Sequence, residues 1–174
     1  MQKNEINSYF GYQPDRLDLE TSAKNQAQSL YTGILARGKT KRLRNFLRGR
    51  SVELLNLDFV VKSVCLGNRH YSGVQSVDIN KIRGSEGRSK DFDISFRPLL
   101  ENHAQRWQRV ATARLENKPL PPVELVQVGN TYFVKDGHHR ISVSKALGEE
   151  FIDAVIVSWD LCDPKDAAHP ALST

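Results

Sequence analysis

Between Val123 and Gly148 the residue pattern switches from a two-residue to a helical period, with glycine at each break, and few folds accommodate that order. Val123 to Val128 is apolar and rich in valine, and Gly129-Asn130 has the chemistry of a tight turn. Tyr132-Phe133-Val134 then supplies a second strand, so a β-hairpin is predicted. The hairpin delivers the chain to Asp136-Gly137-His138-His139-Arg140, after which Ile141, Val143, Ser144 and Leu147 read as a helix stopped by Gly148. Phe151 to Val157 is expected to be a last strand.

Upstream, residues 1–20 have no sustained period and read as an irregular arm. A helix is predicted from Thr21, through Ala23, Ala27, Leu30, Tyr31 and Ile34, to a stop at Gly38. A second helix is expected over 40–48 and a third over 52–64, with Ser51 as its cap. These helices are expected to cover the later domain or to mediate self-association. Gly67 to Gly73 reads as a polar break, and Val74, Val77, Ile79 and Ile82 as a short β stretch ending at Gly84. Gly84-Ser85-Glu86-Gly87-Arg88 then reads as a flexible polar turn. Pro98 to Glu116 is predicted helical through Leu100, His103, Trp107, Val110 and Ala111, and Pro119, Pro121 and Pro122 end it. Trp107 at that spacing reads as core rather than as a stacking platform.

With 39% hydrophobic and 26% charged residues over 174 positions, the chain has the composition of a folded protein rather than a disordered one. The net charge of +5 is unevenly placed. Residues 1–76 carry 12 Lys/Arg against 6 Asp/Glu, whereas the remainder carries 13 against 14. Arg37, Lys39, Lys41, Arg42, Arg44, Arg48 and Arg50 form a run without an acidic residue, which suits either DNA or RNA backbone contact or a solvated helix face. The two cysteines, Cys65 and Cys162, show neither metal-ligand spacing nor a disulfide framework, so a reduced, cytoplasmic setting is expected. No signal-peptide region or membrane span is read, so no membrane partner is expected.

The chemistry concentrates at residues 136–142. Glycine at the turn lets backbone approach a ligand, and the unpaired amides at the following helix start can hold an anion. Arg140 adds a planar fork suited to phosphate, with His138, His139 and Ser142 completing the cradle. Asp136 is either a metal ligand or a turn stabiliser. Asp91 and Asp93 alternate as an edge pair that can hold magnesium or face solvent. Arg88 is a further phosphate candidate. His70, His103 and His169 read as isolated.

Glu124 to Val157, with Gly137 to Arg140 as a Gly-x-x-Arg turn after a hairpin, resembles the core of the ParB N-terminal and sulfiredoxin-like superfamily. Val77 to Ile82 is similar to that family's first strand. The resemblance covers roughly 74–158, and it implies an α+β domain with a small mixed sheet of four or five strands and flanking helices. The implied organisation is a basic helical extension at 1–73, the domain at 74–160 and a tail at 161–174. It also implies a site for nucleotide phosphates (ATP, ADP or CTP), often with magnesium, and NTP hydrolysis or phosphoryl transfer. Glu86 resembles the catalytic carboxylate of serine-kinase relatives and would act as the base. His138 stands where sulfiredoxins have their nucleophilic Cys, so sulfiredoxin chemistry is not expected. About sixteen residues follow Ser158, too few for the DNA-reading helices of a complete ParB protein. The rival expectations are a non-catalytic DNA-associated nucleotide switch, a ParB-like nuclease, and a homodimer built on the N-terminal helices.

Overall fold

The computed structural model describes residues 16–48 and 53–162. Its elements run α1 (Arg16–Leu47), β1 (Leu55–Asn56), α2 (Leu57–Ser63), β2 (Leu66–Asp78), a 3-10 turn (Ile79–Lys81) and β3 (Ile82–Ser85). A second 3-10 turn (Glu101–His103), α3 (Ala104–Leu115), β4 (Val123–Val128), β5 (Thr131–Asp136), α4 (His138–Leu147) and β6 (Phe151–Leu161) complete it. The fold is α+β, with one mixed six-stranded sheet in the order β1-β3-β5-β4-β6-β2. β4 and β5 form the expected hairpin, in register from Val128↔Thr131 to Leu125↔Val134, with Gly129 at φ 57° in its turn. β3 adds parallel to β5, and β6 adds parallel to β4.

Alternation along β4 divides the core. Val123 and Leu125 join Val134, Ile141, Ala154, Ile156 and Phe92 on the α4 side, whereas Val126, Val128 and Phe133 join Leu57 with Val60 and Val61 of α2 on the other. A third cluster ties the helices together through Ala27 and Tyr31 of α1, Trp107 and Ala111 of α3, and Val143 of α4. Trp107 is fully buried, 5.4 Å from the Tyr31 ring centroid, and its Nε1 donates to Ser142 Oγ at 2.8 Å. It is a core residue.

Several expectations change. Gly38 does not end a helix: α1 runs through it in one 32-residue span, and Gly38 is not in the left-handed conformation a C-cap requires. Packing of α1 along α3 outweighs the roughly 1 kcal/mol that an interior glycine costs. Of the expected irregular arm, Arg16 to Glu20 are helical, and residues 1–15 lie outside the described residues, as does Ser51. The expected helix over 52–64 is shorter, because Leu55–Asn56 pairs parallel with β3 and Asn56 caps α2 by accepting from the Asp58 amide at 2.8 Å. Gly67 to Gly73 is not a break but part of β2, held antiparallel to β6 and accommodated by register shifts on either side of Arg69 to Tyr71. Position 73 therefore lies within a strand. β6 also extends past Val157 to Leu161, where tail was expected.

The sheet has more strands than expected because the N-terminal segment contributes β1 and most of β2. Cys65 and Cys162, whose separation showed no disulfide framework, form a disulfide with Cα atoms 5.3 Å apart. They flank the pairing of Leu66 with Leu161, and the Cys162 amide donates to the Cys65 carbonyl at 3.1 Å. The expectation of a reduced compartment rested on the absence of a disulfide framework, and the pairing removes that ground. No helix among the described residues is long and apolar enough to cross a membrane.

Candidate functional site

Gly137 links β5 to α4 with φ 99°, a region open to glycine and strained for other residues. Space enforces the same choice, since a Cβ there would lie 2.5 Å from Val123 Cγ1. α4 has no side-chain cap, and its first backbone bond runs from the Ile141 amide to the Gly137 carbonyl at 3.0 Å. That geometry leaves the amides of His138, His139 and Arg140 without partners inside the helix. An open cavity of about 370 Å³ lies at this helix start, and its lining includes Arg88, Arg106, Lys135, Asp136 and residues 137–140. Four permanently or ordinarily cationic side chains therefore meet there with Asp136 as the carboxylate.

The two adjacent histidines are buried rather than solvent-facing. His138 Nε2 lies 2.7 Å from Ser85 Oγ, which also accepts from the Arg88 amide at 3.1 Å, and its ring stacks on Phe92 with centroids 5.5 Å apart. His139 Nε2 lies 3.2 Å from His103 Nδ1. His103 in turn has Nε2 3.9 Å from Asp91 Oδ2. Burial, reinforced by Arg88 and by the neighbouring imidazoles, pushes His138 down to about 4. Burial, then His103, Arg106 and Arg88, does the same to His139, also to about 4. Both imidazoles are neutral near pH 7. The flexible polar turn expected at 84–88 is half interior: Gly84 and Ser85 belong to β3 and are buried, and a Cβ on Gly84 would lie 2.2 Å from Phe133 Cδ1.

Arg140 is already engaged. Its Nη1 donates to the Pro121 and Pro122 carbonyls at 2.5 and 2.7 Å, and its Nη2 to Asp136 Oδ2 at 2.5 Å. The fork thus braces the loop before β4 against the turn, although Arg140 still lines the cavity. Ser142, expected in the cradle, does not line this cavity, and its Oγ accepts from Trp107 Nε1. Glu86 is exposed, with its amide bonded to the Val134 carbonyl at 2.9 Å, two residues before Arg88. Glu86 is likewise not a lining residue.

Asp93 is no edge residue. It is buried, and its Oδ1 accepts the Ser95 and Arg97 amides at 2.8 and 2.9 Å. Asp136 is held by Arg140, and among the described residues no group of three His, Cys, Asp or Glu side chains converges for a metal. Of the basic run, Arg37, Arg44 and Arg48 are exposed, while Arg50 and the side chains of Lys39, Lys41 and Arg42 lie outside the described residues.

Reading the sequence missed Ser85, His103, Arg106 and Lys135 as neighbours of the motif. Only Lys135, adjacent to Asp136, had a signal within reach of spacing. His103, in the 3-10 turn, and Arg106, in α3, lie more than thirty residues upstream, and the packing of α3 against α4 brings them to the motif.

No family model matches the chain, and no curated protein does. Among solved structures the chain is similar to the crystal structure of sulfiredoxin from Arabidopsis thaliana, at 22% identity over 48% of this chain and 82% of that one, with a TM-score of 0.34.

Proposed function

We propose that the cavity at the start of α4 binds nucleotide phosphates and supports NTP hydrolysis or phosphoryl transfer. The observation that carries the reading is the meeting of Arg88, Arg106, Lys135 and Arg140 around an uncapped helix start, with His138 and His139 held neutral beside it. Backbone amides and guanidinium groups at a helix N-terminus favour a compact polyanion, and the helix dipole adds to them. The volume, about 370 Å³, suits a small ligand more than a macromolecule. Magnesium, if used, would arrive with the nucleotide rather than at a site built by the chain.

Arg88 and Arg106 are the informative positions, because both are exposed and neither makes the structural bonds that Arg140 makes. Calorimetry with ATP, ADP, CTP and GTP, with and without magnesium, is expected to show binding. Arg88→Ala and Arg106→Ala should each weaken it by roughly tenfold or more, the range for a lost charge-assisted contact. Equal affinity in wild type and the double variant would remove the cavity from consideration.

The catalytic half of the reading assigns the base to Glu86, whose exposed carboxylate sits on the same loop as Arg88. Glu86→Gln at matched nucleotide occupancy should lower turnover by roughly a hundredfold, as the loss of a general base does, with little change in affinity. Screening should cover hydrolysis and transfer to small hydroxyl acceptors. Equal rates would take Glu86 out of the mechanism, and no turnover with any nucleotide would leave a binding module.

A further inference from the structure

A larger cavity, of about 690 Å³, is lined by α1 and by the middle of α4, and shares no lining residue with the cavity at the turn. Arg37 of α1, Arg83 of β3, Arg97 and Lys145 of α4 all line it, and no Asp or Glu is among the described residues that do. Asp93 stands behind Arg97, with its Oδ2 3.8 Å from the guanidinium. Arg83 is oriented by its own Nε donating to the Asn80 carbonyl at 3.1 Å, and Lys145 Nζ stands over the Phe96 ring at 5.2 Å from the centroid. The rest of the wall is mixed. Leu30, Ile34, Ile82 and Ile94 supply apolar surface beside the cations.

Gly33 gives an independent reason to regard this space as built. It lies in the middle of α1, where glycine costs roughly 1 kcal/mol against alanine. Its φ is not in the left-handed region, so no turn requires it, and a Cβ placed there would meet nothing within 4 Å. Backbone strain and close approach, the usual reasons for a helical glycine, are both absent. What a side chain would do at 33 is enter the cavity.

We propose that this cavity is a second binding site, for a small organic phosphate whose anionic group meets Arg37, Arg83 and Lys145 and whose apolar part lies against the leucine and isoleucine wall. Guanidinium groups of Arg37 and Arg83 lining a partly apolar concavity attract an anion, and the wall removes its organic part from water. The assignment accounts for part of the N-terminal excess of positive charge, since Arg37, though exposed, lines this cavity. It does not depend on the nucleotide reading of the α4 turn.

The test uses the full chain carrying Arg88→Ala and Arg106→Ala, so that the cavity at the turn does not contribute, with phenyl phosphate and inorganic phosphate as probes in separate titrations. Phenyl phosphate is expected to bind, at least several-fold more tightly than inorganic phosphate. Adding Arg83→Ala with Lys145→Ala should weaken it tenfold or more. Gly33→Leu, which keeps every charge and suits a helix, should block it as well while the thermal melt stays as high or rises. Absence of phenyl phosphate binding in this background, retention of it in Gly33→Leu, or equal affinity for the two probes would each overturn the proposal. Binding of a nucleotide to wild type that Gly33→Leu leaves unchanged would still support the site at the α4 turn, so the two readings fail separately.

Discussion

Replacing Cys65 and Cys162 together by serine is expected to lower the unfolding free energy by about 4–5 kcal/mol, the chain-entropy estimate for a loop near one hundred residues. The two cysteines are 97 positions apart, so the crosslink removes a large part of the freedom of the unfolded chain. It also closes the end of the pairing between β2 and β6, where β2 is an outer strand of the sheet. For a protein of this size the loss corresponds to a fall in Tm of roughly 10–15 °C. Calorimetric melts of the oxidised protein, the reduced protein and the double serine variant provide the check. Identical melts with and without reductant would show that the bridge contributes nothing to stability. The phosphate binding proposed at the turn should survive the substitution at low temperature, because the bridge lies at β2 and β6 and the turn at β5 and α4.

Acidification from pH 7 to pH 5 is expected to destabilise the fold through His138 and His139, by about 2 kcal/mol for one such imidazole and by less than twice that for the neighbouring pair, whose shifts share a cause. Each is held at about 4 in the folded protein, whereas an unfolded histidine titrates near 6.5. Between those values the unfolded chain binds protons that the folded chain refuses, so stability rises with pH across the window. It is fully present above about 6.5 and is lost as pH falls toward 4. His103, lowered chiefly by its own burial despite Asp91, acts in the same direction. Glu149, lowered by its hydrogen bonds and its pairing with Arg114 against the effect of burial, loses its contribution only in the more acidic carboxylate range. Urea unfolding at pH 7, 6 and 5 measures the slope, and His138→Gln with His139→Gln should flatten it. A double variant that loses as much stability as wild type over this interval would assign the effect elsewhere. An anion in the cavity favours the imidazolium form, so a bound phosphate should shift the whole curve toward acid.

The local parts of this molecule were legible from the chain alone, because their causes are local. The valine-rich run, Gly129-Asn130 and the second apolar run specify a hairpin through a two-residue period and one turn, whatever surrounds them. Gly137 and Gly148, both at positive φ, bracket α4 as their residue type requires. Trp107 was placed in the core by its helical spacing, and burial agrees. Gly38 misled because a weak local preference lost to a long packed interface, and Gly67 to Gly73 because β6 supplies partners that no local pattern displays.

What tertiary structure decided is who meets whom. Ser85 reaches His138, Trp107 reaches Ser142, and His139 reaches His103, each across more than thirty residues, because the strand order sets β3 beside β5 and packs α3 against α4. The same packing buries the two histidines, which keeps them neutral, and brings Ser142 Oγ to accept from Trp107 Nε1. The two prolyl carbonyls and Asp136 likewise convert Arg140 from a free fork into a brace, leaving Arg88 and Arg106 as the exposed arginines of the cavity. A sequence records which side chains can hold an anion or a proton. Distance, burial and prior hydrogen bonds settle which of them are still available to do so.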